Sequence, residues 1–503
     1  MKRWVCCLAW VAAGCAGRSS ARGAEVGMET TPRPAKEEAG FFPMPPALAA
    51  DPRALKIPAL DFEVVKPERL TLDNGLTVYL LPDRGAPLVQ LSALVYTGSV
   101  DEPKEKLGLT DVAFSLMASG GAGALGADAL DERLELLAAD AGGGGGEEIS
   151  SLSLNLRSAD LDALLPVFAD MLLRPRFQKD RFDVTVARYR EAVRRRPDSP
   201  DGLAHRALRK AVYGPESPFA REPSDATLRA LTPADLASLH RASVSPANTA
   251  LLVTGHFERD AVVPQLKTLF GAWKGGPRRV RQFAEAARQT RRVFWIPKDT
   301  AQVKIRIGTF GFERGSPREY AARVLNSAMT SFGVGRMYRE LRDRQGLAYA
   351  ASAVAAPGPR QGLFTAAVDT KPGTAMAAIE GALAILERTA GKDPVSAPEI
   401  TTAREMYLNS FAFRFDEADK IAQEKAVFDF FGYPDTYLDT FREKITAVDA
   451  EAVRALAQDI YRLDALQIVV VGPKSAAADL ARFGPVTEVA DVDRFLEPGS
   501  GQP

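Results

Sequence analysis

The stretch LTLDNGLTVYL, residues 70–80, places an Asn-Gly pair between two runs in which apolar and polar residues alternate. Alternation with a period of two is typical of a half-buried β-strand, and Asn-Gly between two such runs is the strongest short signal for a hairpin. The sequence therefore predicts an antiparallel hairpin over residues 69–82.

Strands and helices alternate after this hairpin. Residues 142–146 are consecutive glycines. No Lys-Ser or Lys-Thr pair follows them, as a phosphate-binding loop requires, and two glutamates come next, so they predict a flexible turn. The apolar periodicities elsewhere predict strands over residues 88–96, 149–156 and 250–254, and helices over residues 108–117, 127–139, 161–173, 180–196 and 233–240.

The same order of elements recurs in the second part of the chain. A helix that starts at Thr232 is followed by a strand that ends at Gly255, and the equivalent unit runs from Asp449 to Gly472, 217 residues later. A repeat of this length indicates two homologous domains rather than a solenoid. Strands interleaved with helix pairs favour an α+β fold, in which each domain is a mostly antiparallel sheet packed with helices. The predicted elements of the second copy are strands over 293–296, 303–310 and 364–368 and helices over 319–329, 374–386 and 399–411.

The composition is that of an ordinary globular protein. Of the 503 residues, 46% are hydrophobic and 25% are charged, and 64 Lys and Arg balance 64 Asp and Glu. A chain with no net charge has no global field that attracts nucleic acid or an anionic membrane surface. We therefore expect no nucleic-acid partner.

The N-terminus resembles an export signal. Lys2 and Arg3 precede a short apolar run that ends in small residues before Cys15. This pattern is typical of a secretory signal, and small residues directly before a cysteine resemble a bacterial lipobox, in which the cysteine is lipidated. A cleaved signal without lipid is the alternative. Since Ala16 is not the Asp that often retains a lipoprotein in the inner membrane, we expect a periplasmic lipoprotein anchored to the outer membrane.

All three cysteines lie within the first 15 residues, so the mature chain has no thiol for a disulfide, a zinc site or a nucleophile. The arginines of residues 275–292 stand without interleaved aromatics and predict a solvated linker. The predicted organisation is a lipoprotein signal peptide over residues 1–15, a flexible tether over 16–61, a first domain over 62–274, a linker over 275–292, a second domain over 293–490 and a tail over 491–503.

A second informative stretch is LRDRQGLAY, residues 341–349. An amphipathic helix is predicted before it, and Gly346 predicts a stop before a strand-like segment. Arg342 and Tyr349 stand at the two ends of this turn. An arginine can hold a peptide carbonyl, and a tyrosine hydroxyl can donate to a developing oxyanion. Alone, such a pair is more often a surface and a core residue.

Taken together, several short motifs resemble the pitrilysin/insulinase family of zinc peptidases (M16) in its small two-domain form. The resemblance covers nearly all of residues 70–473. It implies the M16 metallopeptidase-like fold and makes the two predicted domains the N-terminal and C-terminal M16 domains. The motifs are LDNGL at 72–76, GSVDE at 98–102, Gly108-Leu109, YGPESPF at 213–219, SPAN at 245–248, and Glu340-Leu341-Arg342 with GLAY at 346–349.

The family's zinc motif is missing from this chain. Active members carry His-x-x-Glu-His on a helix, in which the histidines bind zinc and the glutamate activates water, and a distant glutamate completes the site. Here the window reads GLTDVAFS, residues 108–115. The resemblance places Asp111 and Ser115 at the histidine positions, Phe114 at the general base and Ala192 at the distant ligand.

We therefore expect no metal in this chain. The three histidines, His205, His240 and His256, are too far apart in sequence to share a helical turn and are predicted to be structural. Asp111 together with Glu191, the residue before Ala192, offers at most a weak site for a hard cation. Phe114 is interpreted as apolar filling where a base would otherwise lie.

By contrast, Arg342 and Tyr349 match the family's substrate-binding pair. In two-chain members one subunit brings zinc and the other brings Arg and Tyr. The resemblance implies a catalytic, substrate-binding role for Arg342 and Tyr349 in a complex with a zinc-bearing M16 subunit, which cleaves extended peptides bound as an edge strand. The chain alone is predicted to be inactive. A catalytically empty peptide-binding or scaffold protein is one alternative, and an active zinc endopeptidase with atypical ligands is another.

Overall fold

The Asn74-Gly75 hairpin opens the first sheet. Strand β1 (Glu68–Thr71) pairs antiparallel with β2 (Thr77–Pro82), which confirms the prediction. Gly75 has a φ of 87°, the left-handed conformation that such a turn needs. The structure is a computed structural model and describes residues 65–496; the predicted signal peptide with Cys15 and the predicted tether lie outside the described residues.

The remaining elements of the first half follow in this order along the chain. The strands are β3 (Leu88–Val95), β4 (Asp140–Gly144), β5 (Ser150–Arg157) and β6 (Thr249–Gly255). The helices are α1 (Leu109–Ser119), α2 (Ala127–Leu136), α3 (Leu161–Leu173), α4 (Lys179–Arg195), α5 (Pro200–Tyr213), α6 (Asp225–Arg229), α7 (Pro233–Ser243) and α8 (Arg259–Phe270).

The second half repeats this order. Its strands are β7 (Arg292–Pro297), β8 (Val303–Phe310), β9 (Phe312–Glu313), β10 (Ala350–Ala355), β11 (Pro357–Gly358), β12 (Leu363–Thr370), β13 (Gln467–Gly472) and β14 (Val486–Glu488). Its helices are α9 (Arg318–Thr330), α10 (Arg336–Tyr338), α11 (Ala375–Ala390), α12 (Ala397–Phe411), α13 (Ala418–Phe430), α14 (Tyr437–Thr446) and α15 (Ala450–Ile460).

Each half builds one six-stranded sheet, and the two sheets share the topology of five strands but differ at one edge, where β1 is antiparallel to its neighbour and β14 is parallel. Read from one edge, the first has the order β4-β5-β3-β6-β2-β1 and the second β10-β12-β8-β13-β7-β14. The pairs β2–β6, β7–β13 and β7–β14 are parallel, and the other pairs of these two sheets are antiparallel. The predicted α+β class with mostly antiparallel sheets is confirmed.

The two helix–strand units over residues 232–255 and 449–472 match in detail. Thr232 caps α7 by accepting a hydrogen bond from the Asp235 amide, and Asp449 caps α15 by accepting one from the Ala452 amide. Such side-chain caps satisfy one of the amides that a helix start leaves without a partner. The predicted starts of both helices and the predicted ends of both strands are therefore confirmed.

The two halves exchange helices. Helices of the same half cover one face of each sheet, α1 and α3 on the first and α9 and α11 on the second. The other face of each sheet is covered by a helix from the other half: α5 packs on β8 and β13, and α13 packs on β2 and β6. Two apolar clusters result, one around Leu203 and Leu208 of α5 and one around Ala422 and Ala426 of α13.

Three of the five glycines, residues 142–144, belong to a strand rather than to the predicted turn. Residues 140–144 form β4, which pairs antiparallel with β5 at the edge of the first sheet. A Cβ on Gly143 would lie 2.0 Å from the carbonyl oxygen of Phe114. Only glycine permits this close approach of β4 to the backbone of α1, so the run fits an edge strand laid directly on a helix.

The arginine-rich linker is not simply solvated, so that prediction was wrong for Arg281. This side chain is 5% exposed. It donates to both carboxylate oxygens of Asp101 at 3.0 and 2.6 Å and to the carbonyl of Glu148 at 2.8 Å. Beyond β14, Phe495 is fully buried against Phe294 of β7, so residues 491–496 also pack on the second half.

Because the halves exchange helices, a cavity under α5 should weaken both. Leu208 is fully buried and packs on Gly308 of β8. We expect Leu208→Ala to lower the free energy of unfolding by about 2 to 5 kcal/mol. The matched control Leu136→Ala, at a side chain that is 74% exposed, should change it by less than about 0.5 kcal/mol.

Urea unfolding followed by circular dichroism measures both variants. The exchange predicts one transition that shifts as a whole in Leu208→Ala. Two separate transitions, of which only one shifts, would argue against helix exchange as the link between the halves.

Candidate functional site

Arg342 lies on a short helix that continues into a π-helical turn. The chain leaves α9, turns at Gly333 with a φ of 77°, and forms α10. Residues 339–344 then continue as a π-helical turn, a feature often found at functional sites. Gly346, with a φ of 63°, ends this turn, and β10 begins four residues later. The predicted glycine breaks are therefore confirmed.

This segment is anchored from below by buried side chains. Leu341 is fully buried. Arg336 donates two hydrogen bonds to the carboxylate of Glu399 on α12, at 2.9 and 2.6 Å, and one each to the carbonyls of Asp393 and Pro394. Burial alone would raise the pKa of Glu399, but hydrogen bonds from Arg336 and Ser396 outweigh it and lower the pKa to about 2. The turn that carries Arg342 is thus held in place by a charged pair.

The structure brings Arg342 and Tyr349 together on the surface. Arg342 Nη1 donates to the backbone carbonyl of Tyr349 at 3.3 Å, and the Tyr349 side chain is 51% exposed. The Arg342 guanidinium lies 4.8 Å from the ring centre of Tyr338, which in turn packs 5.0 Å from Phe332. We call these residues, Phe332, Tyr338, Arg342 and Tyr349, the Arg/Tyr face.

Sequence reasoning missed two members of this face. Tyr338 stands four residues before Arg342, the spacing that brings side chains together on a helix, so this signal was present. Phe332 is 79% exposed and lies in the glycine break, where no periodicity identifies it. A stacked guanidinium retains donors at its edges, so this face can hold a backbone carbonyl.

In the first half, Asp111 and Phe114 face inward from α1. Phe114 is 1% exposed, as expected for apolar filling. Asp111 accepts a hydrogen bond from the Gly145 amide at 3.2 Å, and burial raises its pKa above the ordinary value. Tyr189 of α4 donates to the backbone carbonyl of Asp111 at 3.3 Å. The carboxyl of Asp111 is thereby tied to the loop after β4.

An arginine contacts Ser115, the residue at the second histidine position. Arg188 of α4 donates to the Ser115 hydroxyl at 2.9 Å. Arg188 lies one turn before Ala192 and Arg196 one turn after it, while Ala192 itself is exposed. Sequence reasoning missed Arg188 because its partner lies 73 residues away. The only signal was its four-residue spacing from the expected ligand position.

These residues do not fit a zinc ion. Zinc is bound by thiolate sulfur, by the nitrogen of a neutral imidazole or by carboxylate oxygen. Here the two positions offer a carboxyl whose pKa is raised by burial and a hydroxyl that accepts a hydrogen bond from a guanidinium. Glu191, the other carboxylate considered, accepts from Arg195 at 2.8 Å. Within residues 65–496, no group of three His, Cys, Asp or Glu side chains is placed to hold a metal.

The histidines lie apart from this position. His240 Nε2 is hydrogen-bonded to the carbonyl of Leu172 at 2.8 Å, and burial lowers the pKa of His240. Burial also lowers the pKa of His205. The candidate residues therefore form two sets: Asp111, Phe114 and Ser115 belong to the first half, and Arg342 and Tyr349 belong to the second.

Solved structures share this fold. The peptidase M16 inactive domain protein from Pseudomonas fluorescens superposes with a TM-score of 0.74 at 20% identity, over 82% of this chain and 98% of that one. A protease from Helicobacter pylori superposes with a TM-score of 0.72 at 19% identity, over 81% and 100%. At these identities the likeness establishes the fold.

Sequence relatives point to the same family. A Bacillus subtilis protein described as an uncharacterized zinc protease is 21% identical over 79% of this chain and 96% of its own length. A Streptomyces coelicolor protein with the same description is 26% identical, but the match spans 42% of this chain and about half, 48%, of that relative. Residues 230–407 match the family described as the peptidase M16 inactive domain. The chain is therefore similar to M16 peptidases in sequence and in fold, and its residues 230–407 match the family's inactive domain.

Proposed function

We propose that this protein is the non-zinc, peptide-binding subunit of an M16-type metallopeptidase. In this proposal a second M16-like chain supplies the zinc and the general base, and this chain supplies Arg342 and Tyr349. The two chains together hydrolyse peptide bonds in extended peptides. The observation that carries the proposal is the contrast between Ser115, which is bound to the guanidinium of Arg188, and the exposed, anchored Arg/Tyr face.

The electrostatics of the α1–α4 contact support the absence of a metal. Arg188 donates to Ser115, and Arg196 interacts electrostatically with Asp111. Two guanidinium groups near the position repel a divalent cation, and Phe114 offers no lone pair to activate water. No catalytic step is assigned to these residues.

The Arg/Tyr face can supply positioning and charge stabilisation. The guanidinium of Arg342, already directed at one backbone carbonyl, has donor geometry suited to holding a second one. The Tyr349 hydroxyl can donate to the oxygen on which negative charge develops during attack on a peptide bond. Because both side chains are exposed, they are available to a substrate held by another chain.

Two of the four edge strands are candidates for binding an extended peptide. β4 is one edge of the first sheet, and β10 is one edge of the second sheet, adjacent to Tyr349. An unpaired strand edge binds an extended peptide through main-chain hydrogen bonds. The glycines of β4 present a bare backbone, so a peptide can approach without a side chain in its way.

Large apolar side chains are exposed on the Arg/Tyr face and next to it in sequence. Phe332 is 79% exposed, Val334 42% and Tyr349 51%. Exposed apolar groups that cluster mark protein or peptide contact sites more often than isolated ones do. This supports a partner or substrate on the Arg/Tyr face rather than open solvent.

The rate of the two-chain enzyme tests the proposal. In a complex of this chain with an M16-like chain that carries His-x-x-Glu-His, Tyr349→Phe should lower kcat for peptide cleavage about a hundredfold, as the loss of one oxyanion donor does. Arg342→Lys should mainly raise KM, because it keeps the charge but loses the planar fork.

Two conservative variants serve as controls. Tyr320→Phe on α9 and Arg344→Lys, two residues after Arg342, should leave the rate within about twofold, since neither group has a proposed catalytic role. Unchanged kinetics in Tyr349→Phe would favour the scaffold alternative. Loss of rate in all four variants would point to a general loss of structure.

We further propose that the protein is exported and anchored by a lipid on Cys15. The support is the sequence pattern of the first 15 residues. Among the helices of residues 65–496, none has the length and apolarity to cross a bilayer. A lipid would hold the complex at the outer membrane on a tether over residues 16–61.

Lipidation has a direct measurement. In a bacterium expressing the full chain, metabolic labelling with a clickable fatty acid should label the protein, and Cys15→Ser should abolish both the label and membrane sedimentation. Cys6→Ser, in the same segment, should change neither. Sedimentation of Cys15→Ser with the membrane at the original level would overturn the anchor.

A further inference from the structure

A pocket of about 470 Å³ lies at the start of α9, in the second half of the protein. It is open to solvent rather than enclosed. Its walls come from the start of α9, the loop between α13 and α14, the end of α14 and the start of α15. Its volume falls within the range of about 300 to 1,000 Å³ that is typical of sites for small ligands. We call it the α9 pocket.

The wall of the α9 pocket is mostly apolar, and three tyrosine rings line it. Tyr320 of α9 lies 6.1 Å from Tyr437, and Tyr437 lies 4.6 Å from Tyr433, measured between ring centres. Val448 and Ala452 add aliphatic surface. Such side chains gain favourable contacts when an apolar group packs against them. The α9 pocket therefore suits a ligand with an apolar body.

The one carboxylate that lines the pocket, of Glu319, already has its partners. Its side chain is 3% exposed and pairs with Arg323 at 2.5 Å. The hydroxyls of Tyr433 and Tyr437 donate to its two oxygens at 2.7 and 3.1 Å. A buried carboxylate that is paired and hydrogen-bonded in this way needs no further cation. The negative charge of Glu319 is therefore balanced inside the protein.

The positive charge of Lys444 is balanced by no carboxylate of residues 65–496. Lys444 lines the same pocket, and its ammonium lies 5.3 Å from the ring centre of Tyr320. Among these residues, no Asp or Glu forms an ion pair with it. Lys444 is exposed, so a ligand in the pocket can reach it. Because this ammonium already occupies the aromatic ring as a cation, the charge that complements the pocket is negative.

We propose that the α9 pocket binds a small apolar organic acid. Its carboxylate accepts a hydrogen bond from the Lys444 ammonium, and its apolar group packs against the tyrosine rings. The charge-assisted hydrogen bond sets the orientation, and the apolar contact adds affinity. Free fatty or aromatic acids and the C-terminal residue of a peptide share this chemistry. The site does not depend on the proposed peptidase role.

Calorimetric titration of the full chain tests the charge preference. Phenylpropionate, phenylpropanamide and phenylpropylammonium share one ring and one chain length but carry negative, zero and positive charge. We expect one phenylpropionate to bind per chain, about tenfold more tightly than the amide, because only the acid accepts a charge-assisted hydrogen bond. The ammonium compound should bind most weakly, since Lys444 repels it.

Two further probes distinguish the sources of the acid. N-acetylphenylalanine represents the C-terminal residue of a peptide, and dodecanoate represents a fatty acid. Tighter binding of N-acetylphenylalanine assigns the pocket to peptide termini, and tighter binding of dodecanoate assigns it to fatty acids.

Two pairs of variants locate the binding. Lys444→Met keeps the stem but removes the charge, and should lower the affinity for phenylpropionate to that for the amide. Its control is Lys392→Met, at an exposed lysine outside the pocket, which should bind as the parent does. Ala452→Phe fills the pocket and should abolish binding. Its control is Ala455→Phe, at an exposed position on the same helix, which should bind as the parent does.

Because all four positions are exposed, the variants are expected to fold, and their thermal unfolding checks this. Several results would overturn the proposal: no saturable binding of phenylpropionate, equal affinity for the acid and its amide, or tighter binding of the ammonium compound. Unchanged affinity in Lys444→Met or in Ala452→Phe would also overturn it.

Discussion

Strands β6 and β13, one in the middle of each sheet, are buried on both faces, and the rest of the structure depends on covering them. Every residue of β13 is buried, as are six of the seven in β6. Such strands require helices on either side of the sheet. Each half covers one face with its own helices and lends one helix, α5 or α13, to the sheet of the other half. The two sheets are therefore fixed relative to each other by buried apolar contacts.

The two halves share this framework but differ in the side chains on their corresponding helices. The first helix after the third strand of the first half, α1, buries Phe114 and directs Ser115 to Arg188. The corresponding helix of the second half, α9, buries Glu319, which accepts hydrogen bonds from Tyr433 and Tyr437 at 2.7 and 3.1 Å. On both helices these polar side chains are hydrogen-bonded within the protein. What remains open in the second half is the anchored turn that carries Arg342.

Local patterns predicted much of the fold. The Asn74-Gly75 hairpin, the capped helices at Thr232 and Asp449 and the break at Gly346 each follow from residues adjacent in sequence, and the structure confirms them. Residues 142–144 were misassigned because their conformation is set by pairing with β5 and by contact with α1. Helices α5 and α13 were not predicted, since their apolar faces match the sheet of the other half.

Parts of the site depend on partners distant in sequence and could not be predicted. Arg188 is defined by a hydroxyl 73 residues away, and Arg281 by a carboxylate 180 residues away. The absence of the zinc motif was visible in the sequence, but the guanidinium that contacts Ser115 was not. Likewise, the pairing of Arg336 with Glu399, which holds the Arg342 turn, joins two helices 63 residues apart.

The central claim is that this chain holds no catalytic metal of its own and acts on peptides only with a second chain. Its most direct test is the zinc content of the isolated protein after incubation with one equivalent of zinc and gel filtration, together with its cleavage of an unfolded peptide. The account predicts substoichiometric zinc and no cleavage above background. One tightly held zinc per chain with cleavage that a chelator abolishes would contradict it.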